Sequence, residues 1–248
     1  MTTILKNIWR YPLKSHGREE LSQIFLSANR TIPWDRCWAI AHEKSSVDNK
    51  SWSPCINFSR GSKTPQLMAI DAKLNETTEE LTLTHPNLPK ITVNPDNDME
   101  ELINWAGSLI QAERTKSARI IRVPKRGMTD TDYPSISINN LASHREVEKQ
   151  MNVKLDPRRW RGNFWIDNLD PWKEFDWVGK KVRLGETELE IREPIQRCLA
   201  TTANPTTGER DADTLRALNL WDHQNFGVYG VVTKGGKVEI GDTISLIC

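Results

Sequence analysis

Residues 180–198 read KKVRLGETELEIREPIQRC and indicate the architecture expected of the whole chain. Apolar and charged residues alternate on both sides of Leu184-Gly185-Glu186. A period of two is typical of strands with one buried face, and a glycine turn between two such strands indicates a β-hairpin. The stretch therefore predicts two antiparallel strands, with Cys198 just beyond the second.

Short strand patterns recur along the chain, separated by turn residues. They are ILKNIWRYPL (4–13), QIFLSA (23–28), RCWAIAHE (36–43), QLMAIDAKL (66–74), EELTLTH (79–85), KITVNP (90–95) and a second predicted hairpin, GVYGVVTKGGKVEI (227–240), turning at Gly235-Gly236. Helical periodicity is confined to 98–110, 139–151 and 211–221, with Asp98 and Asp211 as candidate N-caps for the first and third. We therefore predict a mainly β (α+β) fold, barrel-like, with few short helices. A boundary near residue 115 divides it into predicted domains 1–115 and 116–248.

Composition limits the classes of function. The 248 residues carry a net charge of +1, so no global field attracts nucleic acid or an acidic membrane. The N-terminus MTTILKNIWRYPLK has no apolar core of a signal peptide, and no apolar stretch is long enough to span a bilayer. We expect a cytoplasmic protein with neither a nucleic acid nor a membrane as partner.

The four cysteines, Cys37, Cys55, Cys198 and Cys248, form no C-x-x-C pair and are predicted to be free thiols. The histidines also lack zinc-ligand spacing. Cys198 follows Arg197, whose charge favours the thiolate, the nucleophilic and metal-binding form of the side chain. The alternative is a small buried hydrophobic residue beside a surface arginine, which is commoner for a lone cysteine.

Three further clusters combine cations with hydrogen-bond donors or aromatic rings: Tyr11–Ser15, Trp34–Trp38 and Arg158–Trp165. The first two suit a phosphate or another anion, although solvated turn residues are the ordinary alternative. The third interleaves arginines and aromatic residues, as single-stranded nucleic-acid binders do, but the neutral net charge disfavours that function. The chain contains no G-x-G-x-x-G, Walker A, G-x-S-x-G or H-E-x-x-H motif.

Together these segments resemble the MOSC family, named for the C-terminal domain of molybdenum cofactor sulfurase. IWRYPLKS and WDRCWAI resemble the β-barrel segment that precedes MOSC domains. RWRGNFWID, DWVGKKVRLGETELEI, RCLATTANPTTGERDADTLRAL and FGVYGVV resemble the MOSC domain itself. The resemblance covers about residues 4–42 and 134–248, whereas 43–118 diverges. It implies a MOSC β-barrel preceded by a smaller β-rich, barrel-like domain.

The amidoxime-reducing components are similar over both parts, and the similarity implies a molybdenum cofactor (molybdopterin) site. Cys198 corresponds to the cysteine that ligates molybdenum and would be the catalytic and metal residue. The residues that would bind the cofactor are Lys14, Ser15, Arg36, Thr131, Ser137, Arg161, Asn163, Gln196, Arg197 and Tyr229. A site with cations at one end and a soft thiolate ligand at the other matches a cofactor that carries both a phosphate and a dithiolene.

Several positions depart from the family pattern. Gly162 replaces a proline between Arg161 and Asn163, which we expect to loosen the backbone there. Gln196 stands where relatives often have a small residue, and the turn Asn204–Gly208 lacks two carboxylates. No iron–sulfur motif C-x-x-x-x-C-x-x-C occurs, so a reductase would need a separate electron donor of the ferredoxin or cytochrome type, with its reductase.

The leading hypothesis is a molybdenum-dependent oxidoreductase that reduces a small N-hydroxylated compound. A second is sulfur transfer through a Cys198 persulfide, for which pyridoxal phosphate is not expected in this chain. A third is a non-enzymatic carrier of the molybdenum cofactor, and a fourth is a MOSC scaffold that binds another protein.

Overall fold

A computed structural model describes residues 2–247. Within them the chain forms three α-helices: α1 (Met99–Gly107), α2 (Leu141–Met151) and α3 (Thr214–Asn219). The strands are β1 (Ile4–Arg10), β2 (Glu19–Leu21), β3 (Gln23–Leu26), β4 (Ala39–His42), β5 (Asp71–Asn75), β6 (Glu80–His85), β7 (Leu88–Val93), β8 (Ser117–Ile121), β9 (Ile136–Asn140), β10 (Phe164–Asp167), β11 (Lys181–Leu184), β12 (Thr187–Gln196), β13 (Asn225–Lys234), β14 (Gly236–Glu239) and β15 (Ile244–Leu246). The predicted mainly β class is confirmed.

The largest sheet has eight strands in the order β15-β11-β12-β13-β9-β10-β1-β2 and curls into a half-barrel. Its pairs are antiparallel except for β9 and β10, where Phe164 lies beside Ile138. The predicted hairpin around Gly185 is confirmed: β11 pairs with β12 from Lys181↔Glu190 to Leu184↔Thr187. Aliphatic side chains such as Val182, Leu189 and Ile191 fill the concave face and are fully buried.

Three short strands and α1 form a separate small layer in the first half of the chain. The strands β5, β6 and β7 form an antiparallel meander, and β4 pairs with β8. The helix buries Leu102 and Ala106, whereas Met99 at its start is 40% exposed. The helix ends at Gly107, so Ile110 lies outside it.

Two N-terminal strands, β1 and β3, pair with elements from the second half. β1 pairs with β10, and β3 pairs with β14, with Leu26 opposite Gly236. Leu5, Ile8, Ile24 and Leu26 belong to the same core as the large sheet. These pairings between distant parts of the sequence hold the two halves of the chain together. The predicted domain boundary between residues 115 and 116 stays a prediction.

The predicted hairpin at Gly235-Gly236 is wrong, because β14 leaves β13 and pairs with β3 instead. A Cβ at Gly235 would lie 2.6 Å from the Leu26 carbonyl oxygen, and one at Gly236 would lie 2.7 Å from the Glu186 Cβ. The glycines therefore allow two chain segments to pass closely and do not form a tight turn.

Three local predictions are corrected. Asp98 precedes α1, but its carboxylate accepts a hydrogen bond from the Asn94 backbone N–H, outside the helix. α3 is capped by Asp213, not Asp211, because Asp213 accepts from the Arg216 N–H. In the segment 66–74 the strand begins only at Asp71, since Pro65 starts a 3-10 turn before it.

Candidate functional site

An open cleft lies where β12 ends, between the large sheet and the loops of the first half. Nine of the eleven predicted site residues line it: Lys14, Ser15, Arg36, Ser137, Arg161, Gln196, Arg197, Cys198 and Tyr229. They come from six separate parts of the sequence. The fold therefore brings together groups as distant as Lys14 and Tyr229.

Cys198 lies at the end of β12, and its side chain is exposed. It precedes a short 3-10 turn, Leu199–Thr202, in which the Thr201 N–H and hydroxyl both donate to the Cys198 carbonyl at 3.1 Å. The turn fixes the backbone on the C-terminal side of the cysteine. A thiol on a fixed backbone and open to the cleft suits either metal ligation or nucleophilic chemistry.

Tyr11 organises two of the cations. The Arg36 and Arg161 guanidinium carbons lie 4.6 and 4.3 Å from the centre of its ring. The Tyr11 hydroxyl donates to the Gly162 carbonyl at 3.0 Å, and its backbone N–H donates to Asp35 at 2.9 Å. Burial raises the pKa of Tyr11 to about 12, against the effect of the arginines, so its phenol stays neutral. A neutral ring in contact with two guanidinium groups stabilises both by cation–π attraction.

Arg161 has an unused donor. One Nη donates to the Gly17 carbonyl at 3.3 Å, while the other is buried without any hydrogen-bond partner. Burial, and the neighbouring charges of Arg36 and Arg18, lower the pKa of Arg161 to about 10. A buried guanidinium group with an unsatisfied N–H and cationic neighbours is costly unless an anion completes it.

Arg197 also lines the cleft, but most of its donors are used within the protein. It donates to the carbonyls of Phe226 (2.9 Å) and Trp160 (2.7 Å) and to the Asn139 side chain (3.0 Å). Burial lowers its pKa to about 10. Arg197 therefore holds the segment before Cys198 against β13 and contributes positive charge to the cleft.

Lys14 forms an ion pair with Asp130 at 2.5 Å and donates to the Met128 carbonyl at 2.8 Å. Burial alone would raise the pKa of Asp130, but Lys14, Arg36 and Arg161 outweigh it and hold the pKa at about 2. Asp130 is the one carboxylate among the lining residues and was not predicted. Its local sequence gives no signal, because its partner is 116 positions away.

Asn163 and Thr131, the other two predicted residues, do not line the cleft. Asn163 is buried behind it, where its side-chain oxygen accepts from the Ser137 hydroxyl at 2.8 Å and its amide group donates to the Trp9 carbonyl. Thr131 donates to Ser135 and to the Tyr133 carbonyl, within its own loop. Asn163 thus positions Ser137, and Thr131 folds the loop that carries Asp130.

Gly162 has a packing role, whereas the looser backbone expected at this position stays a prediction. A Cβ at this position would overlap the Asn139 side chain, as would one at Gly227 on the other side. The two glycines make room for Asn139, which in turn accepts the hydrogen bond from Arg197. Glycine is thus required at position 162 by packing.

Several lining residues were not predicted from the sequence, and we call them the outer wall: Cys55, Arg60, Gly61, Ser62 and Met68. They lie within the divergent segment 43–118, where neither a motif nor the resemblance indicates a site. Cys37, by contrast, lines a different cavity beside Trp34 and Arg122. Burial raises the pKa of Cys37 to about 12, so its thiol is protonated at neutral pH.

Both halves of the chain match models of known protein families. The family model described as MOSC N-terminal beta barrel domain matches residues 2–120, and that described as MOSC domain matches residues 125–245. A crystal structure of the YuaD protein from Bacillus subtilis has a similar fold, with a TM-score of 0.50 and 13% identity over 98% of this chain and 94% of that one.

Two curated relatives indicate the kinds of protein that share this sequence pattern. Molybdenum cofactor sulfurase 2 of Culex quinquefasciatus is 20% identical over 91% of this chain and 34% of its own length. Mitochondrial amidoxime reducing component 2 of Homo sapiens is 28% identical over 46% of this chain and 37% of its own. The chain thus spans about a third of the length of these relatives. Within residues 2–247, no helix has the length and apolarity needed to cross a membrane.

Proposed function

This chain belongs to the MOSC family, and we propose that its cleft binds a molybdenum cofactor and reduces N-hydroxylated compounds. The observation that carries the proposal is the pairing of an exposed thiol, Cys198, with a buried guanidinium group, Arg161, that has an unsatisfied N–H in the same cleft. The thiol is a soft ligand, and the guanidinium group is an anion anchor. A ligand that satisfies both carries a transition metal and a phosphate.

The residues fit such a cofactor on two counts. Arg161 and Arg197 form no ion pair within residues 2–247, so the cleft holds buried positive charge that a phosphate would neutralise. Within residues 2–247 no group of three or more histidines, cysteines and carboxylates could hold a metal ion, so a metal on Cys198 would take its other ligands from an organic group. Arg161, Lys14 and Ser15 would hold the phosphate, and Cys198 would ligate the metal.

When bound, the cofactor would supply electrons for reduction: two electrons and two protons convert an N–O–H group into N–H and water. The chain's own residues would orient the cofactor and the substrate and shield them from water. Arg36 and Arg161 are fixed by Tyr11, and Asp130 stays ionised and fixes Lys14. Burial raises the pKa of Tyr229, so its phenol keeps its proton and can donate a hydrogen bond into the cleft. The electrons would come from a separate protein partner, as proposed from the sequence.

Sulfur transfer is the second candidate, and the exposure of Cys198 favours it, because a persulfide has to reach its acceptor. Cys55 lines the same cleft, so a second thiol is available near the first. A cofactor carrier would need the anion anchor but not the thiol. The candidates therefore differ in what they require of Cys198.

A reduction assay with a chemical electron donor tests the proposal without the natural partner. Cofactor-loaded protein, reduced methyl viologen and either N-hydroxycytosine or benzamidoxime should give the reduced base or benzamidine. Cys198→Ser should abolish turnover, while Cys55→Ser, the matched control in the same cleft, should retain it. Equal turnover by both variants would contradict the proposal. A cyanide-releasable sulfur on Cys198, without turnover, would establish sulfur transfer instead.

A further inference from the structure

We propose that Arg60 binds an anionic group on the substrate, so that the compounds reduced are N-hydroxylated phosphates or carboxylates in preference to neutral ones. The inference rests on the proposed function and deepens it by naming the substrate class. Arg60 lines the cleft with Cys198 but belongs to the outer wall, whereas Arg161 lies at the buried end beside Tyr11. Cys198 lines the same cleft, so a ligand that fills it contacts both arginines and the thiol.

The loop that carries Arg60 is held directly against the segment that carries Cys198. Arg210 donates to the Ser62 carbonyl at 2.9 Å on one side and contacts the Leu199 carbonyl and the Thr202 hydroxyl on the other. The N–H groups of Lys63 and Thr64 both donate to the Arg60 carbonyl at 3.0 Å, which closes a turn. Arg210 thus fixes the Arg60 backbone relative to the thiol.

Close packing restricts the loop further. A Cβ at Gly61 would lie 2.7 Å from the Met68 sulfur and 3.7 Å from the Ala200 Cβ. The loop therefore passes near the turn that follows Cys198 without a side chain between them. The backbone next to Arg60 is therefore closely packed where it lines the cleft.

Arg60 is one of the cations of the cleft that have no carboxylate partner among the described residues. Six lining residues are cationic: Lys14, Arg36, Arg60, Arg159, Arg161 and Arg197. Lys14 pairs with Asp130, Arg36 with Asp35, and Arg159 with Asp211. Among residues 2–247, the other three have no carboxylate partner. A phosphate monoester carries a charge of about −1.5 to −2 and balances Arg161 and Arg197. Arg60 has no carboxylate partner and lies on a different segment of the lining from Arg161 and Arg197, so its charge is available to a second anionic group.

Arg60 also has N–H donors available for a ligand. Its guanidinium group donates to the Cys55 sulfur at 3.7 Å, and a thiol is a weak acceptor. A half-buried guanidinium group with such a partner binds a phosphate or carboxylate well, because its planar fork matches two oxygens of either. Arg197, by comparison, already donates hydrogen bonds to the Phe226 and Trp160 carbonyls.

The test compares matched neutral and anionic ligands on the cofactor-loaded protein. Two measurements are made: the kcat/KM for N4-hydroxycytidine and its 5′-monophosphate, and calorimetric binding of cytidine and cytidine 5′-monophosphate, the corresponding products. Benzamidoxime and its 4-carboxy derivative, with benzamidine and 4-carboxybenzamidine, form the carboxylate arm. We expect the wild type to prefer the anionic member of at least one pair about tenfold or more, the effect of one charge-assisted hydrogen bond.

Arg60→Gln should remove that preference, and Arg60→Lys should keep part of it. Lys63→Gln makes the same change of charge in the same loop but on an exposed residue outside the cleft, so the preference should survive. Unchanged melting temperatures would show that the variants fold. No anionic preference in the wild type, or equal loss in Arg60→Gln and Lys63→Gln, would overturn the inference. If product binding depends on Arg60 while no N-hydroxylated compound is reduced, the Arg60 site stands and the proposed function fails.

Discussion

His16 shows how burial of one residue beneath the cleft sets a property of the whole protein. Its ring is fully buried, Nδ1 donates to the Lys14 carbonyl at 2.7 Å, and Nε2 has no partner. Burial, reinforced by Arg161, lowers its pKa from 6.5 to about 4. The imidazole is therefore neutral in the folded protein at every pH above about 4.

This lowered pKa predicts a loss of stability in mild acid. The unfolded chain takes up a proton at His16 near pH 6.5, before the folded chain does, so the stability is complete above that pH and declines as pH falls toward 4. By pH 4.5 this residue should cost about 2 to 3 kcal/mol. Urea unfolding at pH 7.5 and 4.5 should show a smaller pH difference for His16→Gln than for the wild type. An identical difference in the two proteins would contradict the assignment.

At the residue scale, the sequence indicated the cations of the cleft better than their partners. Lys14, Arg36 and Arg161 stand in clusters whose composition suits an anion. Asp130 stands in a polar loop, and only the folded chain brings it to Lys14. A lone ion pair between distant positions leaves no local pattern, which is why such a residue is missed.

At the element scale, the cap of α2 links that helix to a buried carboxylate. The Asn140 side chain accepts from the Ala142 N–H at 2.9 Å and donates to Glu174 at 2.9 Å. Glu174 is fully buried, and burial raises its pKa despite this bond and another from Ser143. One asparagine thus forms hydrogen bonds with both a helix terminus and a fully buried carboxyl group.

We predict that Asn140→Ala destabilises the fold by about 2 to 4 kcal/mol, because it removes both a cap and a donor to a buried acid. Asp213→Ala is the matched control: it removes the cap of α3, which is exposed, and should cost about 1 kcal/mol or less. Denaturant unfolding gives both values. Equal losses would show that the bond to Glu174 contributes nothing.

Elements were predictable where their signal is local. The hairpin around Gly185 combines a period of two with a short turn, and its strands are neighbours in sequence. β14 has the same local pattern, yet its partner is β3, more than 200 positions earlier. A period of two predicts a strand, but it does not identify the strand with which that strand pairs.

For the whole molecule, the N-terminal strands complete the large sheet. Without β1, β2 and β3, the core would lose Leu5, Ile8, Ile24 and Leu26, which are buried in it. Each buried aliphatic side chain contributes about 1.5–3 kcal/mol. Their sum is comparable with the total stability of a typical domain, about 5–15 kcal/mol.

We therefore predict that residues 116–248 do not fold alone. Expressed by itself, the fragment should lack cooperative thermal unfolding by circular dichroism. Co-expression with residues 1–115, cut at the same position, should restore a folded complex on size-exclusion chromatography. Cooperative unfolding of the isolated fragment would contradict the interleaved core and support two independent domains.

The central claim is that Cys198 holds molybdenum in a cleft that also binds the pterin phosphate. The direct measurement is the molybdenum and pterin content of protein purified from a host that makes the cofactor, for wild type, Cys198→Ala and Cys55→Ala. We predict molybdenum and pterin in the wild type and in Cys55→Ala, and loss of molybdenum in Cys198→Ala. Molybdenum retained by Cys198→Ala, or absence of both metal and pterin from the wild type, would contradict the claim.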